Sequence, residues 1–285
     1  MIVIPIPKIA RKPLAKLYFF ADGILFKWLK IPRTPFVKKI SAVITRNLKS
    51  DFAKVHGHSM YLDKRDSLGL SLLEFEPATV KLFEKYVKPG HTVLDIGAHI
   101  GYFALIAARL VGNNGRVFAY EPEPENFAIL KKNVETNKYN NVCASQFAIA
   151  ERARTARLFV NPAKAGGHMT DINDAPHLHN FDVKAVALDD ELKNQKVDFI
   201  KIDIEGGEYN AFLGMEKIIA NNPQIKIVTE YYTNSQRRHG AGEGQLIDLL
   251  KKHGFNFYEI NDKLTPISYR ELKSGEFATN LFCER

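Results

Sequence analysis

Short apolar runs alternate along this chain with longer segments in which apolar residues recur every three or four positions. The short runs are rich in β-branched and aromatic residues, which is typical of strands buried inside a sheet. They predict strands over residues 92–96, 116–120, 141–147, 198–203 and 225–231. The longer segments have helical spacing and predict helices over residues 77–86, 103–110, 124–137, 209–221 and 242–253. This alternation predicts an α/β fold.

Four further segments complete the prediction. Residues 255–260 and 279–284 predict a final antiparallel pair of strands, and residues 156–160 predict a short added strand. Residues 161–180 are rich in Gly, Pro, His and Asn, and they predict a loop.

A glycine turn follows the first of the inner strands. Gly97 and Gly101 allow a sharp backbone turn and leave room beside the chain for a ligand. Loops between a strand and the next helix are where open α/β sheets bind nucleotides. Glu121 ends the next strand, 20 positions after Gly101, where a carboxylate can accept hydrogen bonds from ribose hydroxyls. The turn and this acid together predict a nucleoside-binding site.

The residue two positions before Gly97 narrows the choice of ligand class. Asp95 would repel the pyrophosphate that a G-x-G-x-x-G fingerprint binds, but it suits a ligand with an amino group and a sulfonium. The pattern resembles the class I S-adenosylmethionine-dependent methyltransferases. Together with further motifs, this pattern makes the chain resemble the FkbM-type family over residues 66–285. Those motifs are residues 75–77 (Phe-Glu-Pro), 120–122 (Tyr-Glu-Pro), 188–190 (Leu-Asp-Asp), 197–208 and Glu230.

The resemblance implies a Rossmann-like, seven-stranded, mostly parallel sheet with helices on both faces and an antiparallel final strand. It also implies a methyltransferase that uses S-adenosylmethionine and acts on a hydroxyl of a sugar, glycolipid or secondary metabolite. The family usually has Asn where this chain has His99. Phe147 and Ala148, at the end of the third strand, are expected to lie against the adenine, and Phe147 fits packing in the core equally well. The cofactor-binding residues are then expected to be Asp95, Gly97, Ala98, His99, Gly101, Glu121, Phe147 and Ala148.

Three residues are candidates for catalysis. Asp203 and Glu205 should lie at the carboxyl edge of the sheet and, in a continuing strand, point to the same side. Such a pair would raise one pKa and supply a base, or it would share a divalent cation. His168, in the predicted loop, is a candidate general base. Glu208 is better explained by stabilisation of a helix N-terminus, and no metal site is assigned.

The positive charge is concentrated at the N-terminus. Residues 1–50 carry a net charge of +10 and residues 51–285 a net charge of −2. We predict a basic, helical N-terminal extension over residues 1–65 and a methyltransferase domain over residues 66–285. The apolar residues among the charges fit an amphipathic helix on anionic lipid, or a lid packed on the domain. No nucleic-acid module accompanies the charge, so no nucleic-acid partner is expected.

The cysteine content favours a reducing compartment. Cys143 and Cys283 form neither a disulfide framework nor a zinc pattern, and both are expected to be buried in strands. We therefore expect a cytoplasmic protein, peripheral at the inner membrane face if residues 1–50 bind lipid. Two other functions stay open, a nicotinamide-dependent oxidoreductase and a non-catalytic protein that binds membrane surfaces. The acceptor and the oligomeric state are not predicted.

Overall fold

The structure is a computed structural model that describes residues 14, 17–18, 34–35, 49–64, 66–160, 167–169, 179–242 and 244–285, with the backbone alone for 167–169. Most of the predicted N-terminal extension lies outside the described residues. The chain divides into two compact units, residues 1–75 and residues 76–285. Among the described residues, no helix is both long enough and apolar enough to span a bilayer.

The described part of the first unit is built around a β-hairpin. Strands β1 (Phe52–Val55) and β2 (His58–Tyr61) pair antiparallel. Beyond the hairpin, Asp66 is buried and its carboxylate accepts hydrogen bonds from the backbone N–H and the hydroxyl of Ser71. Burial raises the pKa of Asp66, and these hydrogen bonds oppose the rise.

The second unit contains an eight-stranded sheet in the order β13-β12-β14-β11-β10-β3-β4-β5. Strands β11, β10, β3, β4 and β5 are parallel, and β14 joins β11 antiparallel. This confirms the predicted α/β class, the mostly parallel sheet and the final antiparallel pair; β13 is the one strand more than predicted. The bounds are β3 Thr92–Ile96, β4 Arg116–Tyr120, β5 Val142–Ser145, β10 Phe199–Ile202, β11 Lys226–Tyr232, β12 Asn256–Ile260, β13 Leu264–Ile267 and β14 Ala278–Glu284.

Nine helices lie in the described part of the second unit. They are α1 Pro77–Tyr86, α2 Tyr102–Val111, α3 Pro124–Thr136, α4 Leu188–Glu191, α5 Glu208–Leu213, α6 Glu216–Asn221, α7 Thr233–Arg238, α8 Gln245–Lys252 and α9 Tyr269–Ser274. Proline begins α1 and α3, where its missing N–H costs nothing. The single helix predicted over residues 209–221 is wrong, because α5 ends before Gly214, and glycine disfavours a continuous helix.

A smaller four-stranded sheet contains β6 Ala148–Ile149, β7 Arg154–Val160, β8 Gly167–Met169 and β9 His179–Val186, in the order β6-β9-β7-β8. The strand β7 confirms the short added strand predicted over residues 156–160, and the other three strands were not predicted. The predicted loop over residues 161–180 is therefore wrong where β8 and the start of β9 lie. The polar residues of this segment hide the strands from prediction by apolar pattern, because most side chains of β9 are exposed or half-buried.

The two cysteines differ in environment. Cys283 lies in β14 and is buried, as expected. Cys143 is exposed, so the expectation of a buried thiol there is wrong. Its strand, β5, is at the edge of the central sheet and has a neighbouring strand on one side only.

Candidate functional site

The glycine turn joins β3 to α2 through left-handed backbone. Gly97 has φ 81°, and His99 has φ 51°. Asn, Asp and His adopt this conformation more readily than other non-glycine residues, so His99 preserves a turn in which the family usually has Asn. A Cβ on Gly97 would overlap the carbonyl oxygen of Asp203. The space at Gly97 is therefore taken by the end of β10, whereas the sequence suggested that a ligand fills it.

Glu121 connects this turn to the end of β4. Its side chain is buried, and its two carboxylate oxygens accept hydrogen bonds from His99 N (2.8 Å) and Glu123 N (2.9 Å). Burial raises the pKa of Glu121 to about 7, and the two hydrogen bonds oppose the rise. Each oxygen keeps a second lone pair, so the carboxylate can still accept a hydrogen bond from a ligand hydroxyl.

Asp95 is a buried carboxylate beside the glycine turn. It is 1% exposed, and the described residues offer its two oxygens no close hydrogen bond, only a weak interaction with the backbone N–H of Ala104. Burial raises its pKa to about 6, and Lys201 opposes the rise. Burying this carboxylate is costly, and Lys201 offsets part of the cost, so a ligand that brings an ammonium group or another donor would offset more of it.

Lys201 is the site residue that sequence reasoning missed. It lies next to Asp95 in register on β10 and is buried, with its Nζ 3.2 Å from Oδ2 of Asp203 and 4.9 Å from the centre of the Phe103 ring. Burial alone lowers the pKa of Lys201, but the carboxylates of Asp203, Glu76 and Asp95 outweigh it and raise the pKa. The signal was present, because a lysine in an inner strand requires a buried partner.

The acidic turn, residues 203–208, follows β10. The strand ends at Ile202, and Glu205 is left-handed with φ 58°, so the predicted continuation that would align Asp203 with Glu205 is wrong. Glu208 is fully buried, and its Oε1 accepts hydrogen bonds from Ile204 N (2.9 Å) and Gly206 N (3.2 Å). Although Glu208 is the first residue of α5, its carboxylate thus stabilises the turn. Burial raises its pKa to about 7.

Glu230 on β11 joins this acidic group. Its Oε2 is buried and has no hydrogen-bond partner in the described part of the chain. Burial raises the pKa of Glu230 to about 9, and nearby carboxylates add to the rise. Those carboxylates belong, in decreasing order of effect, to Asp203, Glu208 and Glu205. The sheet edge therefore brings together the two predicted catalytic acids, and it adds Glu208 and Glu230.

The residues predicted to contact adenine lie just past the end of β5. The strand ends at Ser145, two residues earlier than predicted. Phe147 is half-buried, with Nζ of Lys184 4.5 Å from the centre of its ring. Ala148 is buried in β6, where it pairs with Ala185. Ser145 and Gln146 are thus nearer to the strand end than the predicted pair.

His168 lies in a different part of the second unit. Its backbone belongs to β8, opposite Phe159 of β7 in the four-stranded sheet, rather than to the edge of the central sheet. The structure therefore does not bring it together with the acidic turn through any described element. Within the described ranges, no group of three or more His, Cys, Asp or Glu side chains is arranged to hold a metal ion.

Comparison with known families shows to which family this chain belongs. The profile of the methyltransferase FkbM domain matches residues 95–257, which include the glycine turn, the acidic turn and Glu230. The chain belongs to the FkbM methyltransferase family. The profile of the protein-L-isoaspartate (D-aspartate) O-methyltransferases also matches, over residues 24–148.

Similar proteins include whole enzymes and parts of longer ones. The chain is 25% identical over 210 residues to 31-O-demethyl-FK506 methyltransferase FkbM of Streptomyces tacrolimicus, covering 62% of this chain and 77% of that protein. It is 27% identical over 246 residues to the AMB antimetabolite synthetase AmbE of Pseudomonas aeruginosa. That match covers 69% of this chain but only 11% of AmbE. A crystal structure of methyltransferase FkbM from Methylobacillus flagellatus aligns with a TM-score of 0.43 and 16% identity, over 72% of this chain and 50% of that one.

Proposed function

We propose that the protein transfers the methyl group of S-adenosylmethionine to a hydroxyl group of a sugar, glycolipid or secondary metabolite. The observation that carries this proposal is Asp95, a buried carboxylate beside a glycine turn to which the described residues give no close hydrogen bond. The ammonium group of a methionine moiety would donate charge-assisted hydrogen bonds to it, in addition to the attraction of Lys201. The FkbM family match supplies the reaction class.

The residues of the site fit the parts of this methyl donor. Asp95, with Gly97, Ala98, His99 and Gly101 around it, would hold the methionine part. Glu121 would accept hydrogen bonds from the ribose hydroxyls. We assign the adenine to the segment after β5, which contains Phe147 and Ala148. When bound, S-adenosylmethionine supplies a methyl group already activated by the positive sulfur.

The acceptor must then be oriented and lose its proton. We place Asp203 and Glu205 beside the acceptor, since they stand at the carboxyl edge of the sheet where open α/β folds build active sites. Lys201 holds the Asp203 carboxylate at 3.2 Å and so limits its movement. His168 stays a candidate for the base only if residues around β8 approach this edge.

The experiment is a transfer assay with S-adenosylmethionine labelled in the methyl group. The full chain is incubated with an extract of lipids and glycans, and the labelled product is identified by mass spectrometry. A methyl ether is the expected product. Label on nitrogen or carbon would refute O-methylation. Calorimetry that shows binding of NAD and not of S-adenosylmethionine would favour the oxidoreductase instead.

We further propose that residues 1–50 attach the protein to an anionic membrane surface where a lipid-linked acceptor lies. The net charge of +10 supports this, because each Lys or Arg near such a surface adds ~1 kcal/mol, screened by salt. The full chain should sediment with anionic vesicles at low salt and dissociate as salt rises. A chain beginning at residue 51 should stay in the supernatant and still bind S-adenosylmethionine. If the segment is a lid, neither chain sediments, and the shorter one is less stable.

A further inference from the structure

His239 lies directly after α7 and packs on the acidic turn. A Cβ on Gly206 would overlap both Nδ1 of His239 and Oγ of Ser235, so this glycine lets the turn and the histidine meet. The Ser235 hydroxyl donates a hydrogen bond to the carbonyl oxygen of Glu205, which fixes the turn against the end of β11 and the start of α7. His239 is therefore placed at the same sheet edge as the candidate catalytic acids.

The hydrogen bond of the ring determines its tautomer. Nδ1 of His239 lies 2.8 Å from the carbonyl oxygen of Ser235. A carbonyl oxygen only accepts, so Nδ1 must carry the proton and donate it. In the neutral ring the lone pair then resides on Nε2. A hydrogen bond to the backbone thus prepares Nε2 as a proton acceptor.

Nε2 itself lacks a donor. It is buried, although the side chain as a whole is partly exposed, and no described residue makes a hydrogen bond to it. A buried acceptor without a donor costs free energy unless a ligand provides one. The donor could belong to a hydroxyl group, which is also what the proposed acceptor carries.

We propose that His239 is the general base of the methyl transfer, an inference that rests on the proposed function. The acceptor oxygen forms a bond to the methyl carbon while the bond between that carbon and sulfur breaks. The electron pair of the broken bond stays on sulfur. The hydroxyl proton moves to Nε2 of His239, which leaves an imidazolium ion. That ion passes the proton to water that enters the site once the methylated product has departed. The general base is then this histidine and neither Asp203, Glu205 nor His168.

His239→Asn tests the role of Nε2 directly. The amide N–H of asparagine can replace Nδ1–H and donate to Ser235, but asparagine has no basic nitrogen. The rate of methyl transfer into the extract should fall at least ~100-fold, which is the scale of general base catalysis. The dissociation constant for S-adenosylmethionine should not change. His239→Ala should regain activity when imidazole is added, because imidazole in solution can take the proton.

His253→Asn is the matched control. His253 also follows a helix, α8, but its Nε2 already has a partner, Oε2 of Glu216 at 3.2 Å. This variant should transfer methyl groups at the wild-type rate. An unchanged rate in His239→Asn overturns the proposal, and so does a slow His239→Ala that imidazole does not rescue, since the histidine is then structural. If the wild-type chain labels no hydroxyl group, the proposed function itself is overturned. A failure of the His239 proposal alone leaves the wild-type activity intact, so the two failures can be distinguished.

Discussion

The glycine turn and the acidic turn occupy equivalent places in the fold but satisfy their polar groups differently. Each follows a parallel strand, β3 or β10, and each contains left-handed residues. Each is held by a buried glutamate that accepts two backbone hydrogen bonds. Glu121 uses one oxygen for each bond, whereas Glu208 uses Oε1 for both and leaves Oε2 without a partner among the described residues.

This difference separates a turn whose glutamate uses both oxygens for the backbone from one whose glutamate leaves an oxygen without a partner among the described residues. The glycine turn has its geometry fixed by the chain, which suits the binding of a cofactor that is the same in every turnover. Glu208 of the acidic turn and the neighbouring Glu230 both keep a buried oxygen without a described partner, and burial raises the pKa of both, which favours their neutral acid forms. Carboxyl groups with raised pKa values are typical of functional sites.

The largest effect is expected where the two turns touch. Gly97→Ala places a methyl group on the carbonyl oxygen of Asp203 and forces alanine into a left-handed conformation. Overpacking and backbone strain together should lower the free energy of unfolding by about 3–5 kcal/mol. Chemical denaturation measures this. Gly90→Ala is the control, because Gly90 has φ 84° and nothing within 4 Å of the added methyl, so only about 1 kcal/mol should be lost. Equal losses would refute the contact.

Removing charge from the acidic turn should reduce turnover. Asp203→Asn preserves the shape of the side chain but removes the negative charge that faces Nζ of Lys201. We expect turnover to fall ~100-fold, the scale reported for one preorganised electrostatic group. Glu205→Gln should act in the same direction with little change in cofactor affinity. Initial rates with labelled methyl donor measure both, and a chelator added to the wild type tests for a metal. Full activity of Asp203→Asn would exclude this carboxylate from the chemistry.

Glu121→Ala should affect both binding and stability. The change should weaken S-adenosylmethionine binding by roughly 1.5–3 kcal/mol, because a charged acceptor for ribose hydroxyls is lost. Since Glu121 also accepts hydrogen bonds from His99 N and Glu123 N, we expect a lower melting temperature as well. Calorimetry and thermal unfolding separate the two effects. An unchanged dissociation constant would remove Glu121 from the binding site.

The smallest effect is a pH dependence of stability. Burial raises the pKa of Glu208 from 4.5 to about 7, so the folded chain binds its proton more tightly than the unfolded chain. Its stabilising contribution is complete below pH 4.5 and is lost as the pH rises towards 7. Over this interval the loss should be of the order of 1–3 kcal/mol. Glu208→Gln, which stays neutral, should flatten the dependence, and an unchanged slope would show that Glu208 does not titrate there.

Sequence reasoning succeeded where a segment is both buried and continuous. β3 and β4 have the predicted bounds, because their apolar runs end at turn residues on both sides. It failed for β9, whose polar side chains hide its pairing with β7. The local sequence pattern did not predict strands whose formation depends on partners that are distant in the chain.

The candidate site shows the same division. The glycine turn and Glu121 could be found from spacing along the chain. The partner of Asp203 is Lys201, and a lysine two positions earlier in an apolar strand was not recognised as its counter-charge. His239 is 36 residues from Asp203, and only the packing of Gly206 against α7 shows that it belongs to this edge.

The contact between Gly97 and Asp203 has a consequence for synthesis on the ribosome. The two halves of the binding edge lie more than 100 positions apart in the sequence, and β10 enters the sheet beside β3. A nascent chain that ends before β10 has the glycine turn but exposes one side of β3 to pairing with other chains. The methyl donor cannot stabilise that intermediate as it would the finished edge, because half of the binding edge is still missing.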